Sequence, residues 1–227
     1  ADEASLELLH YVSRHTADEA IFITGTYRPD TVTDNPHLDR LLKDSRRIQV
    51  VRLASLDQKT THQMVLGLHI TGPDDFAERL YGHSGGNPLF LAETLNTQLA
   101  SGSLHRRPDG SIDAQEVESW PVPRRIQDLI QARMASLDEE PRRALAAGAV
   151  IARPFGLLLL RQVSGLPELQ ALDVVEQALR QRFLEELPGS LPQQSLSFHH
   201  PYYQRVIYDG LSRVQRHALH RRAARAL

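Results

Sequence analysis

The chain has 227 residues, with 26 Lys and Arg against 28 Asp and Glu, and a net charge of −2 gives it no general attraction to nucleic acid or anionic membrane. The absence of cysteine excludes disulfides and thiolate metal sites and is typical of a cytoplasmic protein. Hydrophobic residues make up 41%, as in ordinary globular domains, and no run approaches the roughly 20 apolar residues that span a bilayer.

The first 54 residues alternate between helix and strand patterns. Apolar residues recur at helical spacing over 2–15, and the short run 21–23 is rich in β-branched and aromatic residues, as in a buried parallel strand. A short helix is predicted over 37–43 and a second buried strand over 48–53. This alternation is typical of a parallel α/β sheet, and two strands alone would leave it with unpaired edges. We therefore expect further strands upstream.

The middle of the chain has mainly helical patterns. Helices are predicted over 53–70, 74–81, 88–102 and 123–135. Ser55 or Asp57 is the expected cap of the first, and Pro88 occupies the favoured first position of the third. The polar segment 104–120, with its clustered Pro, Asp and Gly, predicts a surface loop or a short hairpin.

The last third of the chain has the pattern of a second compact unit. Helices are predicted over 138–151, 155–163 and 169–187. A break at Pro188 and Gly189 then precedes an alternating, strand-like segment over 195–200. Three helices followed by a strand pair form the outline of a winged helix. The final stretch, 202–227, is helical and basic. The chain opens inside one helix and closes inside another, so we expect a piece of a longer polypeptide.

Four segments in this order resemble the STAND branch of P-loop, AAA+-like signal-transduction ATPases. The opening ADEASLELL is similar to the segment after the Walker B strand, and IFITGTYR is similar to a sensor strand that ends in an arginine, Arg28. GGNPLFLAE resembles the lid motif whose proline, Pro88, packs on adenine, and FHHPYYQRVIYDGL resembles a winged-helix motif with a nucleotide-sensing histidine, His200. The closest likeness is to the bacterial kind attached to LuxR-type regulators, adenylate cyclases or kinases, with tetratricopeptide repeats downstream.

The resemblance implies a mainly α fold with an α/β remnant, in four parts. These are the C-terminal part of the P-loop domain (1–54), a helical lid (55–135), a winged helix (136–211) and the start of a tetratricopeptide-like region (212–227). It also implies ATP or ADP as ligand, with Mg²⁺ held by residues upstream of this chain. The phosphate loop GxxxxGK[ST] is absent from the sequence, so we expect no ATP hydrolysis by this chain alone.

The residues that the resemblance assigns to nucleotide are Arg28, Gly86, Asn87, Pro88 and His200. A local interpretation stays open for each of them. Arg28 could be a solvated arginine before a proline turn, and residues 86–88 could form a plain helix-to-helix turn. His200 could simply be packed beside Phe198. His199 and His200 should point to opposite faces of a strand, and which of them faces the nucleotide is left open.

The sequence favours a regulatory switch of signal transduction over other classes. No catalytic dyad, nucleophile–histidine pair or metal ligand set is evident. The expected partners are nucleotide and other domains of the same polypeptide, with oligomerisation on activation. A winged-helix DNA-binding regulator is the alternative. Its DNA-reading helix, predicted over 169–187, would offer only Arg180 and Arg182 as cations. In the basic C-terminal tail, the apolar residues between the basic ones favour a helical repeat over DNA binding. A scaffold that has lost nucleotide binding is the third interpretation.

Overall fold

The computed structural model describes residues 2–16, 19–29, 32, 35–43, 48–114, 120–187 and 195–227. Within them lie eleven α-helices and five short strands, so the expected mainly α architecture is confirmed. They divide into two units, Ala1–Ala54 and Ser55–Leu227, which we call unit 1 and unit 2 and describe separately. Among these helices, none has both the length and the hydrophobicity needed to cross a bilayer.

Unit 1 contains two helices, α1 (Glu3–His15) and α2 (Pro36–Lys43), as the sequence predicts. Asp2 caps α1, because its carboxylate accepts a hydrogen bond of 2.8 Å from the backbone N–H of Ser5. Each helix buries one leucine, Leu6 and Leu41 respectively. The helices contact each other along these faces.

The two strands predicted in unit 1 are not formed, and this corrects the expectation of an α/β remnant there. The described residues 20–28 and 48–56 belong to no strand, and the Phe22 side chain is 91% exposed. A strand persists only where a neighbour completes its backbone hydrogen bonds. The described residues offer neither segment such a neighbour, so their β-branched composition alone does not produce a sheet.

The first half of unit 2 is helical with one small sheet. Its elements are α3 (Gln58–Gly67), β1 (Ile70–Thr71), α4 (Phe76–Ser84), α5 (Pro88–Ser101), β2 (Leu104–Arg106), β3 (Ile112–Ala114) and α6 (Arg124–Ala135). Strands β2 and β3 form the predicted hairpin, and β1 pairs parallel with β3 to give the order β1-β3-β2. The two-residue strand β1 is too short for its sequence to have predicted it. A core around Phe76, Leu80 and Leu91 holds α3 to α5 and the sheet together, whereas the buried residues of α6, Ile126 and Ile130, belong to the larger core described next.

The second half of unit 2 surrounds a central helix. Its elements are α7 (Glu139–Ile151), α8 (Leu157–Ser164), α9 (Glu168–Arg180), β4 (Leu184–Leu187), β5 (Ser195–Phe198), α10 (Pro201–Gly210) and α11 (Arg213–Ala226). Strands β4 and β5 pair antiparallel, and Phe155 adds a single bridge to Leu196. Helix α7 contacts α8, α9, α10 and α11, so it lies at the centre of the larger core.

Helix α9 is shorter than the sequence predicts. It ends at Arg180, and the residues after it turn through Arg182, whose φ is +55°, into β4. Phe183 and Leu184 are both buried, at 1% and 3% exposure. Apolar residues that fit a helical period fit a buried strand equally well, and the left-handed turn decides between them. The predicted break at Pro188 and Gly189 lies outside the described residues.

Candidate functional site

The Gly-Gly-Asn-Pro turn joins α4 to α5 by standard capping chemistry. Gly85 ends α4 with φ of +54° and donates its N–H to the carbonyl of Tyr81. The Asn87 side chain caps α5 by accepting from the backbone N–H groups of Leu89 and Phe90, at 3.0 and 3.4 Å. Pro88 then takes the first helical position, where its missing N–H costs nothing. The local interpretation of this motif is confirmed.

Gly86 is required by a close approach of two backbones. Its φ is +70°, and its carbonyl accepts a hydrogen bond of 2.8 Å from the N–H of Leu56. A Cβ atom at position 86 would lie 1.9 Å from the Leu56 carbonyl oxygen. The structural role of Gly86 is therefore to let the segment before α3 lie directly against the turn.

His200 caps α10 and is packed against the same turn. Its Nδ1 accepts a hydrogen bond of 3.0 Å from the N–H of Tyr202, and the residue is only 5% exposed. Its ring meets the Phe90 ring edge-on, with centroids 4.5 Å apart. A Cβ atom at Gly85 would lie 2.7 Å from the imidazole Cδ2, so the absent side chain at Gly85 makes room for the ring.

The second ring nitrogen of His200 is buried without a hydrogen-bond partner among the described residues. Because Nδ1 accepts, the proton of the neutral ring lies on Nε2, which is then a donor. Burial lowers the pKa of His200 to about 4, opposed by the backbone of Ser84 and reinforced by His199 and His83. The Ser84 backbone lies near enough to favour the protonated ring, but it does not have the distance and angle of a hydrogen bond to Nε2. At neutral pH the site thus presents a neutral, buried N–H donor.

His199 lies on the opposite side of the chain from His200. It is exposed, and its Nδ1 lies 2.8 Å from a carboxylate oxygen of Glu185. The predicted division of the pair into one buried and one solvated histidine is confirmed. Of the two, only His200 adjoins the Gly-Gly-Asn-Pro turn.

Further polar contacts join the two halves of unit 2 beside this site. The hydroxyls of Thr94 and Tyr202 are 3.0 Å apart, both in buried positions. Arg205 donates through Nη1 to the carbonyl of Trp120 at 3.1 Å, and the His83 ring stacks on the Trp120 ring at 5.1 Å between centroids. The indole N–H of Trp120 is buried without a hydrogen-bond partner among the described residues. The hydroxyl pair therefore joins α10 to α5, and Arg205 joins α10 to the segment before α6.

Arg133, near the end of α6, connects that helix to α10 and to the turn after α9. Its guanidinium lies 4.5 Å from the centroid of Phe183 and 5.3 Å from that of Tyr203, and it donates to the Tyr203 hydroxyl and the Gln181 carbonyl. We expect Arg133→Met to lower the free energy of unfolding by about 1–2 kcal/mol, because hydrogen bonds and cation–π contacts are lost while the apolar stem stays. Urea unfolding measures this.

Arg124→Met on the same helix is the matched control for Arg133→Met. Arg124 is exposed in the first turn of α6, and its replacement should change the free energy of unfolding by no more than about 0.5 kcal/mol. Equal losses for the two variants would contradict the role of Arg133 as a connection.

The predicted nucleotide residues divide between the two units. Gly86, Asn87 and His200 lie within one junction of unit 2, and Pro88 is exposed beside them. Arg28 lies in unit 1, in an exposed segment outside any strand, so the sensor strand that was to carry it is not formed. The sequence did not single out Phe90 as a site residue, although its spacing after Asn87 places it in the first turn of α5.

A separate cluster in unit 1 was not predicted. Both ring nitrogens of His37 face carboxylates, with Nε2 at 2.7 Å from Glu3 and Nδ1 at 3.7 Å from Glu7. The three residues bring potential ligand atoms within 4.8 Å of one another. Both glutamates are well exposed, and their contacts with the imidazole account for the arrangement.

Comparisons of this chain with protein-family models, with curated proteins and with solved structures gave no match.

Proposed function

We propose that this chain is the lid and winged-helix part of a nucleotide-controlled switch in a multidomain STAND-type signal-transduction ATPase, linked to a transcription regulator, cyclase or kinase. One observation carries the proposal. The Gly-Gly-Asn-Pro turn lies against His200, which is far from it in sequence, and Nε2 of His200 is a buried donor without a partner among the described residues. Three helices, α7 to α9, followed by the hairpin β4-β5 support the winged-helix assignment.

The chemistry of this junction suits a nucleoside diphosphate. A neutral Nε2–H can donate to a phosphate oxygen once a local movement of the turn uncovers it, and a hydrogen bond to a charged group contributes about 1.5–3 kcal/mol. Pro88 is exposed at a helix start and offers a rigid apolar surface to adenine. The role of Arg28 toward the γ-phosphate stays a prediction from the resemblance. Mg²⁺, with its ligands expected upstream, would neutralise the charge of the phosphates, and this chain alone would not hydrolyse ATP.

In the proposed switch, bound ADP holds the two halves of unit 2 closed through His200. Exchange for ATP weakens the histidine contact, and the pairs Thr94–Tyr202 and Arg205–Trp120 then separate as the winged helix is released. About 5 kcal/mol of differential binding would nearly invert such a two-state equilibrium.

The test is an equilibrium titration of fluorescent ADP into the polypeptide extended upstream by the about 150 residues that a P-loop half-domain needs. We expect micromolar or tighter binding, weakened roughly five-fold by Pro88→Ala and at least about tenfold by His200→Asn. Pro73→Ala, a proline in the connection before α4, is the matched control and should leave the affinity unchanged.

No ADP binding in this titration would overturn the proposal. Salt-sensitive binding of duplex DNA would then favour the DNA-binding regulator, although Arg180 on its reader helix α9 lies 3.5 Å from a carboxylate oxygen of Glu176. Binding of neither ligand would leave a scaffold.

A further inference from the structure

A groove of about 440 Å³ opens between the end of α4, the end of α7, and helices α10 and α11. This volume lies within the range of small-molecule sites. Its apolar lining includes Ala149, Val150 and Pro201. The groove is distinct from the turn that contacts His200, because neither His200 nor any residue of the Gly-Gly-Asn-Pro turn lines it. The groove is therefore separate from the residues proposed to contact nucleotide, and it shares Arg205 with one of the pairs that the switch separates.

The ionisable groups that line this groove are all basic, apart from two tyrosine hydroxyls. They are Arg205, with a permanent charge, and the imidazoles of His83 and His220, with no carboxylate among the lining residues. Burial lowers the pKa of His83, and the neighbouring charge of Arg205 lowers it further. Arg205 therefore supplies the permanent charge of this lining, and a cation with no carboxylate beside it in the groove favours a bound anion.

Two of these basic groups are held in place. The Arg205 guanidinium is anchored by one hydrogen bond to the Trp120 carbonyl, which uses one of its five N–H donors. The His83 ring is stacked nearly parallel to the Trp120 indole, at an angle of 9°. A positioned guanidinium is suited to planar recognition of a carboxylate or a phosphate, because its donors match two oxygens at once.

We propose that this groove binds a small organic anion, with an apolar body against Ala149, Val150 and Pro201 and one carboxylate or phosphate group against Arg205. Gln204, which lines the groove and donates weakly to the Ala149 carbonyl at 3.4 Å, supplies an amide to a polar substituent. The inference rests on the groove alone and stands whether or not the protein binds ADP.

The test is a ligand-observed saturation-transfer titration of the 227-residue chain with benzoate, phenyl phosphate and benzamide. Benzamide has nearly the shape of benzoate without its charge. We expect at least one of the two anions to bind roughly tenfold more tightly than benzamide. The tighter of the anions identifies the group that Arg205 prefers. Equal binding of all three probes, or of none, would overturn the proposal.

Substitutions locate the binding in the groove. Arg205→Gln should abolish the preference for the anions, whereas Arg213→Gln, the same change at an exposed site on α11, should preserve it. Should Arg205→Gln fail to fold by circular dichroism, Gln204→Glu takes its place and should weaken benzoate roughly tenfold more than it weakens benzamide. A preference for the anions that survives these changes would place them elsewhere on the protein and refute the site.

Discussion

Replacing Gly86 by alanine should lower the free energy of unfolding by about 3 kcal/mol. A side chain at φ of +70° costs roughly 1–2 kcal/mol, and overpacking adds about 1–3 kcal/mol. The new Cβ would lie 1.9 Å from the Leu56 carbonyl oxygen, a backbone atom that moves only with its segment. The hydrogen bond between Leu56 and Gly86 should be lost in consequence.

Thermal and urea unfolding of Gly86→Ala measure this loss, and Gly82→Ala is the matched control. Gly82 lies four residues earlier inside α4 and is exposed, and a Cβ atom added there would meet no other atom within 4 Å. Alanine there should stabilise the helix by up to about 1 kcal/mol. The two variants should thus differ in sign, and a neutral Gly86→Ala would show that the backbone contact with Leu56 is not maintained in solution.

Local chemistry made much of this junction predictable from sequence. A glycine followed by asparagine and proline lies between two segments with helical spacing of apolar residues. This order predicts a left-handed glycine at the end of the first helix, an asparagine N-cap and a proline in the first turn of the next helix, and the structure has all three. The same reasoning gave the cap Asp57, one of the two residues expected to begin α3. Each of these features depends on residues at most four positions apart.

What the sequence could not predict depends on contacts between distant residues. His200 approaches Gly85, and Leu56 approaches Gly86, because whole helices pack against each other. The sequence pattern shows that these positions are glycines, but it does not show which residues lie against them. The strands predicted over 21–23 and 48–53 are not formed for the same reason: a strand needs a neighbouring strand to pair its backbone hydrogen bonds, and the sequence of one segment does not supply that neighbour. The resemblance supplied His200, but its burial and unpaired Nε2 are properties of the folded chain alone.

The burial of His200 should make the stability of unit 2 depend on pH. The pKa of His200 is lowered to about 4 in the folded protein, against 6.5 for the ordinary imidazole, chiefly by burial. Between these values the unfolded chain binds the proton and the folded chain does not, so the free energy of unfolding rises with pH across this window. The contribution is fully present above about pH 6.5 and is lost as pH falls through 4, in total about 3 kcal/mol. His83, whose pKa is also lowered by burial, acts in the same direction.

Urea unfolding of the parent and of His200→Asn between about pH 7.5 and 4.5 tests this dependence. Asparagine is a favoured N-cap that can still accept from the Tyr202 N–H, but it does not titrate. The parent should lose roughly 1.4 kcal/mol per pH unit more than the variant below about pH 6.5. Thr94→Val is the control: it removes the hydrogen bond to Tyr202 without removing a titrating group, so it should be less stable than the parent and keep the parent's slope. If His200→Asn had the slope of the parent, folding would not lower the pKa of His200, and the buried neutral imidazole on which the phosphate contact depends would not be present in solution.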